Sequence, residues 1–205
     1  MYVSRMIDPV TKPRKGSKIL SAKVANRRSE VRDRLLETAA ELFVERGVSN
    51  VSVEEIIDAV GISRATFYGF FANKTELAAA VLLPVFDSGI AALAAKQPRG
   101  PRAMAERLVD MYLELWHKHR DALLLTGMVD STLFPYIKKP HDKFGVAINK
   151  VLKVIEDEGL LRNGSATLSY LVLAKTGIPL LRLYQNHPNF EGIYRESMLA
   201  LLLND

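Results

Sequence analysis

Four side chains able to donate hydrogen bonds, Ser63, Arg64, Thr66 and Tyr68, open the segment SRATFYGFFANKTEL. Donors at this density suit anionic oxygens and the acceptor edges of bases. The forked guanidinium of Arg64 matches O6 and N7 of guanine, whereas Thr66 and Tyr68 have the reach of phosphate ligands. Ala65 between them is small, and Phe67 can pack inward. Lys74 follows at a helix start, where the helix dipole attracts an anion and an ammonium group adds to that attraction. Upstream, residues 1–28 carry eight basic residues (Arg5, Lys12, Arg14, Lys15, Lys18, Lys23, Arg27 and Arg28) against Asp8 alone. The formal net charge of the chain is +5, so this tail holds +7 and the remainder −2. Such a field suits a polyanion, and Arg27 and Arg28 are candidate DNA contacts; a tail that merely solvates the chain has the same composition.

These side chains need elements to hold them. Leu35, Leu36, Ala39, Leu42 and Phe43 recur with the spacing of one helical face, and Gly47 suits a left-handed cap after it. Ser52 opens SVEE, in which its hydroxyl caps a second helix and Glu55 reaches back, while Ile56, Ile57 and Val60 form the apolar face. Ser52 also joins the candidate DNA contacts. Gly61 ends this helix after two turns, and Ser63 caps a third short helix. The intervening AVGIS matches the tight corner of a helix-turn-helix, with Ile62 plugging the core. Asn73 followed by Glu76 marks a fourth helix.

The remainder reads as helix after helix, near 75–96, 102–119, 121–129, 132–158, 165–185 and 190–203. It shows no sustained period-two alternation, so the fold class is all-α. Pro84, Pro135, Pro140 and Pro179 fall inside these segments and are expected to kink or divide them. The chain has 205 residues, 48% of them hydrophobic, enough for a real core. Its longest apolar candidate, Leu77–Phe86, is interrupted at Asp87 before membrane-spanning length, and no membrane role is expected. Without cysteine there are no disulfides or thiolate ligands. The beginning lacks the apolar segment of a secretory signal, so a cytoplasmic location is expected.

Across residues 30–78 the sequence resembles the TetR family of one-component bacterial repressors, whose helix-turn-helix is followed by the pattern T-[FLY]-Y-x-[HYF]-F-x-x-K. Thr66, Phe67, Tyr68, Phe70, Phe71, Asn73 and Lys74 stand in that pattern, and Gly61, Ile62 and Ser63 stand where its turn requires them. The resemblance implies a homodimer that binds a double-stranded DNA operator and carries a helical C-terminal domain that commonly binds a small ligand; a repressor released by a small hydrophobic effector is the expected function, a ligand-independent DNA-binding or protein-recruiting regulator of the same fold being the alternative. The expected organisation is a basic flexible extension over 1–28, a helix-turn-helix domain over 29–75 and a ligand-binding and dimerisation domain over 76–205. Gly69 departs from the family, which often carries a larger DNA-contacting side chain there, and this leaves more of the readout to Arg64. The extension is longer than in many relatives and is expected to lie along the minor groove.

Other constellations carry less. Glu114 and His117 form one Glu-x-x-His with Asp110 a turn earlier, but helical di-metal sites need two such half-motifs, and no metal or cofactor is expected. His117 and His119 point in different directions around a helix. No phosphate loop, dinucleotide fingerprint or nucleophile elbow occurs, so an enzyme is not expected. Tyr112, Trp116, Met128, Phe134, Phe144 and Tyr170, with Asn149 and Thr176 as polar anchors, are individually core residues or collectively the walls of a pocket for a hydrophobic effector. The last two helices are apolar over most of their circumference, and Leu168, Leu171, Val172, Ile193, Tyr194 and Leu202 are the candidate dimer interface, burial within one subunit being the alternative.

Overall fold

The computed structural model describes residues 15–204. Among these residues eight α-helices follow one another: α1 Lys15–Arg46, α2 Val53–Val60, α3 Arg64–Tyr68, α4 Lys74–Ala94, α5 Pro101–Thr126, α6 Phe134–Asp157, α7 Ala166–Tyr184 and α8 Phe190–Leu202. A 3₁₀ turn at Val48–Asn50 joins α1 to α2. The element order agrees with the sequence reading at nearly every break.

α1 differs. It begins at Lys15, so residues 15–28 form its first turns rather than a flexible extension, while residues 1–14 lie outside the described residues. The stretch KGSKILSAKVANRR lacks an apolar period, which is why it reads as a tail. It is nevertheless rich in good helix formers, and extending an established helix costs far less than nucleating one.

α1, α2 and α3 enclose Leu35, Ala39, Phe43, Ile56, Val60 and Phe67, all buried. α4 continues from this unit without a linker, the expected boundary at 75/76 falling inside its first turn. It packs on α1 and then between α5 and α6, and the buried side chains form one continuous core. By length and composition α4 is apolar enough to cross a membrane, but half of its most apolar window is buried inside the fold, as in a core helix.

The prolines are absorbed. Pro135 lies in the first turn of α6, where its missing N–H is not needed, so it neither kinks nor divides the helix. α4, α6 and α7 run through Pro84, Pro140 and Pro179. The irregularity in α5 is at His119 (φ −141°, ψ 41°), whose ring Nε2 lies 2.9 Å from the Ser88 hydroxyl on α4. Beyond α8, Leu203 pairs with Leu161 in an isolated antiparallel bridge. The Arg162 N–H donates to Leu202 O (2.8 Å) and the Asn204 N–H to Leu160 O (3.0 Å).

Candidate nucleic-acid interface

The corner between α2 and α3 is built from local hydrogen bonds. The Glu55 N–H donates to Ser52 Oγ (3.2 Å) and the Ser52 N–H to Glu55 Oε2 (2.7 Å), a closed capping box. The Ser52 backbone and hydroxyl donors, aided by Arg46 at 2.7 Å, hold the Glu55 carboxyl down at about 2. Gly61 adopts φ 73°, ψ 46°, the left-handed geometry that lets its N–H and that of Ile62 return to Ile57 O at 2.9 and 3.1 Å. Ser63 then accepts from the Thr66 N–H at 3.1 Å and starts α3.

Phe67 is fully buried and fixes which side of α3 faces out. Arg64, Ala65 and Tyr68 are exposed, Thr66 is half-buried, and its hydroxyl lies 2.9 Å from that of Ser63. Tyr68 is 52% exposed, its ring edge-on to Phe67 at 5.2 Å. The N-cap Ser52 is exposed as well. The outer surface thus offers a fork, a phenol and hydroxyls over one short helix.

Two basic residues of α1 come to the same place. Arg28 donates to the carbonyl of Gly69 at 3.0 Å, with its guanidinium 5.1 Å from the Phe70 ring centre, and Arg32 lies 5.9 Å from that of Phe71. Arg27 is exposed next to it. Gly69, which lacks a side chain to reach DNA, thus supplies the carbonyl that ties α1 to the end of α3.

Lys74 requires a correction. Its Nζ donates to the carbonyls of Ser49 (3.2 Å) and Val51 (2.5 Å), clamping the start of α4 to the turn before α2. Two of its three N–H groups are engaged, so it is an internal clamp with at most one donor left for a phosphate. Sequence reasoning missed Arg34, which donates to Val60 O (2.5 Å), and Glu54, which accepts from Arg64. Neither partner lies within a helical turn of the other, so no periodicity reveals them.

Residues 35–81 match the model of the bacterial regulatory proteins of the tetR family. This is a TetR-family domain. It is 44% identical over 55 residues to the HTH-type transcriptional activator FasR of Mycolicibacterium smegmatis, an alignment covering 27% of this chain and 25% of the relative. It is 37% identical over 62 residues to the HTH-type transcriptional regulator TcmR of Streptomyces glaucescens, covering 30% and 27%. The chain therefore spans about a quarter of the length of the curated relatives it matches. The fold extends further: the ketosteroid transcriptional regulator KstR2 of Mycobacterium tuberculosis superposes with a TM-score of 0.69 at 22% identity, over 85% of this chain and 95% of that one.

Outside the TetR-family domain, the expected pocket is filled. Tyr112 and Trp116 are buried, and Tyr112, Phe144 and Tyr170 each sit on a glycine of a neighbouring helix: Gly177, Gly89 and Gly145. Rings that close on bare backbone leave no space there for an effector: Tyr112 is in the core, and the half-buried Phe144 and Tyr170 pack against it. Phe134 is half-buried with its ring 5.4 Å from that of His141. Both polar anchors turn a donor back onto their own helices, Asn149 donating to Gly145 O (3.0 Å) and Thr176 to Val172 O (2.7 Å). Met128 alone of the set lines a cleft of about 940 Å³ between α1, α5 and α7, with Val44, Arg120, Leu124, Pro179 and Arg182. Burial pushes the Tyr112 phenol up, with a further contribution from Tyr170, and that of Tyr194 likewise, with a smaller one from Tyr112.

The interface set also divides. Leu168 and Leu171 are 52% and 49% exposed on α7, and Val172 and Ile193 are half-buried. Tyr194 and Leu202 are fully buried against their own subunit and are withdrawn from the interface: α8 turns them inward onto α5 and α7. The acids and histidine weighed as a metal half-site are paired as well, Asp110 with Arg195 (2.7 Å), Glu114 with Arg107 (2.8 Å) and His117 with Glu191 (2.9 Å).

Proposed function

We propose that this chain is a homodimeric transcriptional regulator of the cytoplasm that binds a palindromic DNA operator and represses until a small hydrophobic molecule releases it. The observation that carries the DNA reading is the outward face of α3, where Arg64, Thr66 and Tyr68 stand over a buried Phe67 with Arg28 of α1 fastened beside them. Such a face sits in a major groove with Arg64 toward base edges and Tyr68 toward phosphate. The exposed leucines of α7 are the surface a second copy covers, and two-fold pairing sets the spacing of the half-sites.

The effector reading moves with the geometry. The cleft between α1, α5 and α7 touches Val44 on a helix of the DNA-binding domain as well as Met128 and Pro179 of the larger one, so a ligand there contacts both. Release follows when the ligand binds better to the conformation whose two recognition helices no longer match the operator.

The test is selection of binding sites from random duplex by the purified chain, followed by fluorescence anisotropy at several salt concentrations. A palindromic site bound with a steep salt dependence is expected; equal retention of all duplexes, or none, ends the reading. Met128→Trp, which narrows the cleft, should blunt release by any molecule found in a thermal-shift screen and leave operator affinity intact.

A further inference from the structure

An acid stands on the face assigned to DNA. Glu54, in the first turn of α2, accepts from Arg64 Nη2 across the corner, with the two side chains 51% and 67% exposed. The capping box of α2 is made by Ser52 and Glu55, so Glu54 is not needed to start its helix. An ion pair this exposed adds little to stability. A carboxylate on a surface that meets phosphates also works against binding, because it repels the backbone at every sequence.

We infer that Glu54 is a positioning residue for sequence discrimination: it fixes the direction of the Arg64 fork and lowers the affinity of this face for phosphate. This rests on the DNA-binding reading above. The guanidinium has five N–H donors. One is engaged by Glu54, and guanine O6 and N7 need two of those that remain. Without its anchor, the flexible Arg64 side chain is free to reach the nearest phosphate, a contact offered by every sequence. Glu54 thus trades general affinity for preference.

The experiment compares Glu54→Gln, which keeps an acceptor but loses the charge, with Glu54→Ala, which loses both, on the selected operator and on random duplex from low to moderate salt. Both variants should bind random duplex more tightly. Glu54→Ala should steepen the log–log salt slope by about one unit per subunit as Arg64 takes up a phosphate. It should also cut the preference at one base position per half-site by about tenfold, within the range of one bidentate contact, whereas Glu54→Gln should retain most of that preference. Placed on Arg64→Ala, the second change should leave base preference as in the single variant, and circular dichroism should match the parent throughout.

Variants that keep the parent's ratio of specific to random affinity overturn the role of Glu54. So does a loss of preference that is the same with and without Arg64, which would make Glu54 itself the base reader. A parent chain that binds no duplex removes the DNA reading instead, and the two failures are told apart by the parent alone.

Discussion

The ring of Phe144 on α6 lies directly on the backbone of Gly89 on α4: a Cβ at position 89 would fall 2.5 Å from Cε2 and 2.9 Å from Cζ. Real Cβ atoms do not approach a ring so closely, so even one methyl group must displace the half-buried Phe144 ring. The Phe86 ring, 6.1 Å from that of Phe144, blocks one route of relief. Gly89→Ala is expected to cost about 1–3 kcal/mol, the range of overpacked cores, although alanine is the better helix former. Urea denaturation checks it, and a more stable variant would show that Phe144 can rotate away freely.

Lys74→Ala should lower stability as well as DNA affinity. The carbonyls of Ser49 and Val51 lose a charged donor, about 1–3 kcal/mol by the range for such bonds. Thermal unfolding and anisotropy read the two effects separately. An unchanged melting temperature with weakened binding would return Lys74 to a phosphate ligand alone.

Leu171→Asp and Leu202→Asp should behave differently although both are leucines of the last two helices. The first places a charge on an exposed face and should yield a folded monomer; the second buries a carboxylate without a partner, at a cost of several kcal/mol, and should not fold stably. Sedimentation with circular dichroism distinguishes them. A folded, dimeric Leu171→Asp chain would exclude this stripe of α7 from the interface.

Acid should loosen the corner before α2. The Glu55 carboxyl ordinarily titrates at 4.5 and is held at about 2 by the Ser52 donors and Arg46. A folded-state value below the unfolded one means stability is fully present above about pH 4.5 and is lost as pH falls toward 2. Ser52→Ala should shift the Glu55 titration upward in an NMR experiment. A carboxyl that still titrates near 2 in that variant would assign the depression to the backbone N–H of residue 52 and to Arg46, both of which the substitution leaves in place.

The TetR-family domain is legible in sequence because its signals are local. Ser52 with Glu55, Gly61, Ser63 and Asn73 with Glu76 each close a hydrogen bond within four residues, and the expected capping pairs are those found. What escaped depends on distance along the chain. The clamp from Lys74 spans 23 residues to Val51, and the link from Arg28 to Gly69 spans 41. The apolar residues of α8 escaped for another reason. A helix that is apolar most of the way round shows that it is covered but not by what, and Tyr194 and Leu202 turned out to face their own subunit. The expected pocket failed similarly, since aromatic residues describe wall and filling alike until Gly89, Gly145 and Gly177 show the rings seated on backbone.

The bridge between Leu161 and Leu203 makes a closed loop of everything between them. Residues next to the end of a helix normally fray, and their amides exchange with solvent almost as fast as those of a free peptide. Here the amides of Leu203 and Asn204 are donors to Leu199 and Leu160, at 2.8 and 3.0 Å. One amide is thus tied to the last turn of α8 and the other to the loop before α7, which in turn donates from Arg162 to Leu202. Deuterium uptake should therefore report α7 and α8 as one opening unit, with protection that carries through Asn204 instead of fading along the last turn of α8.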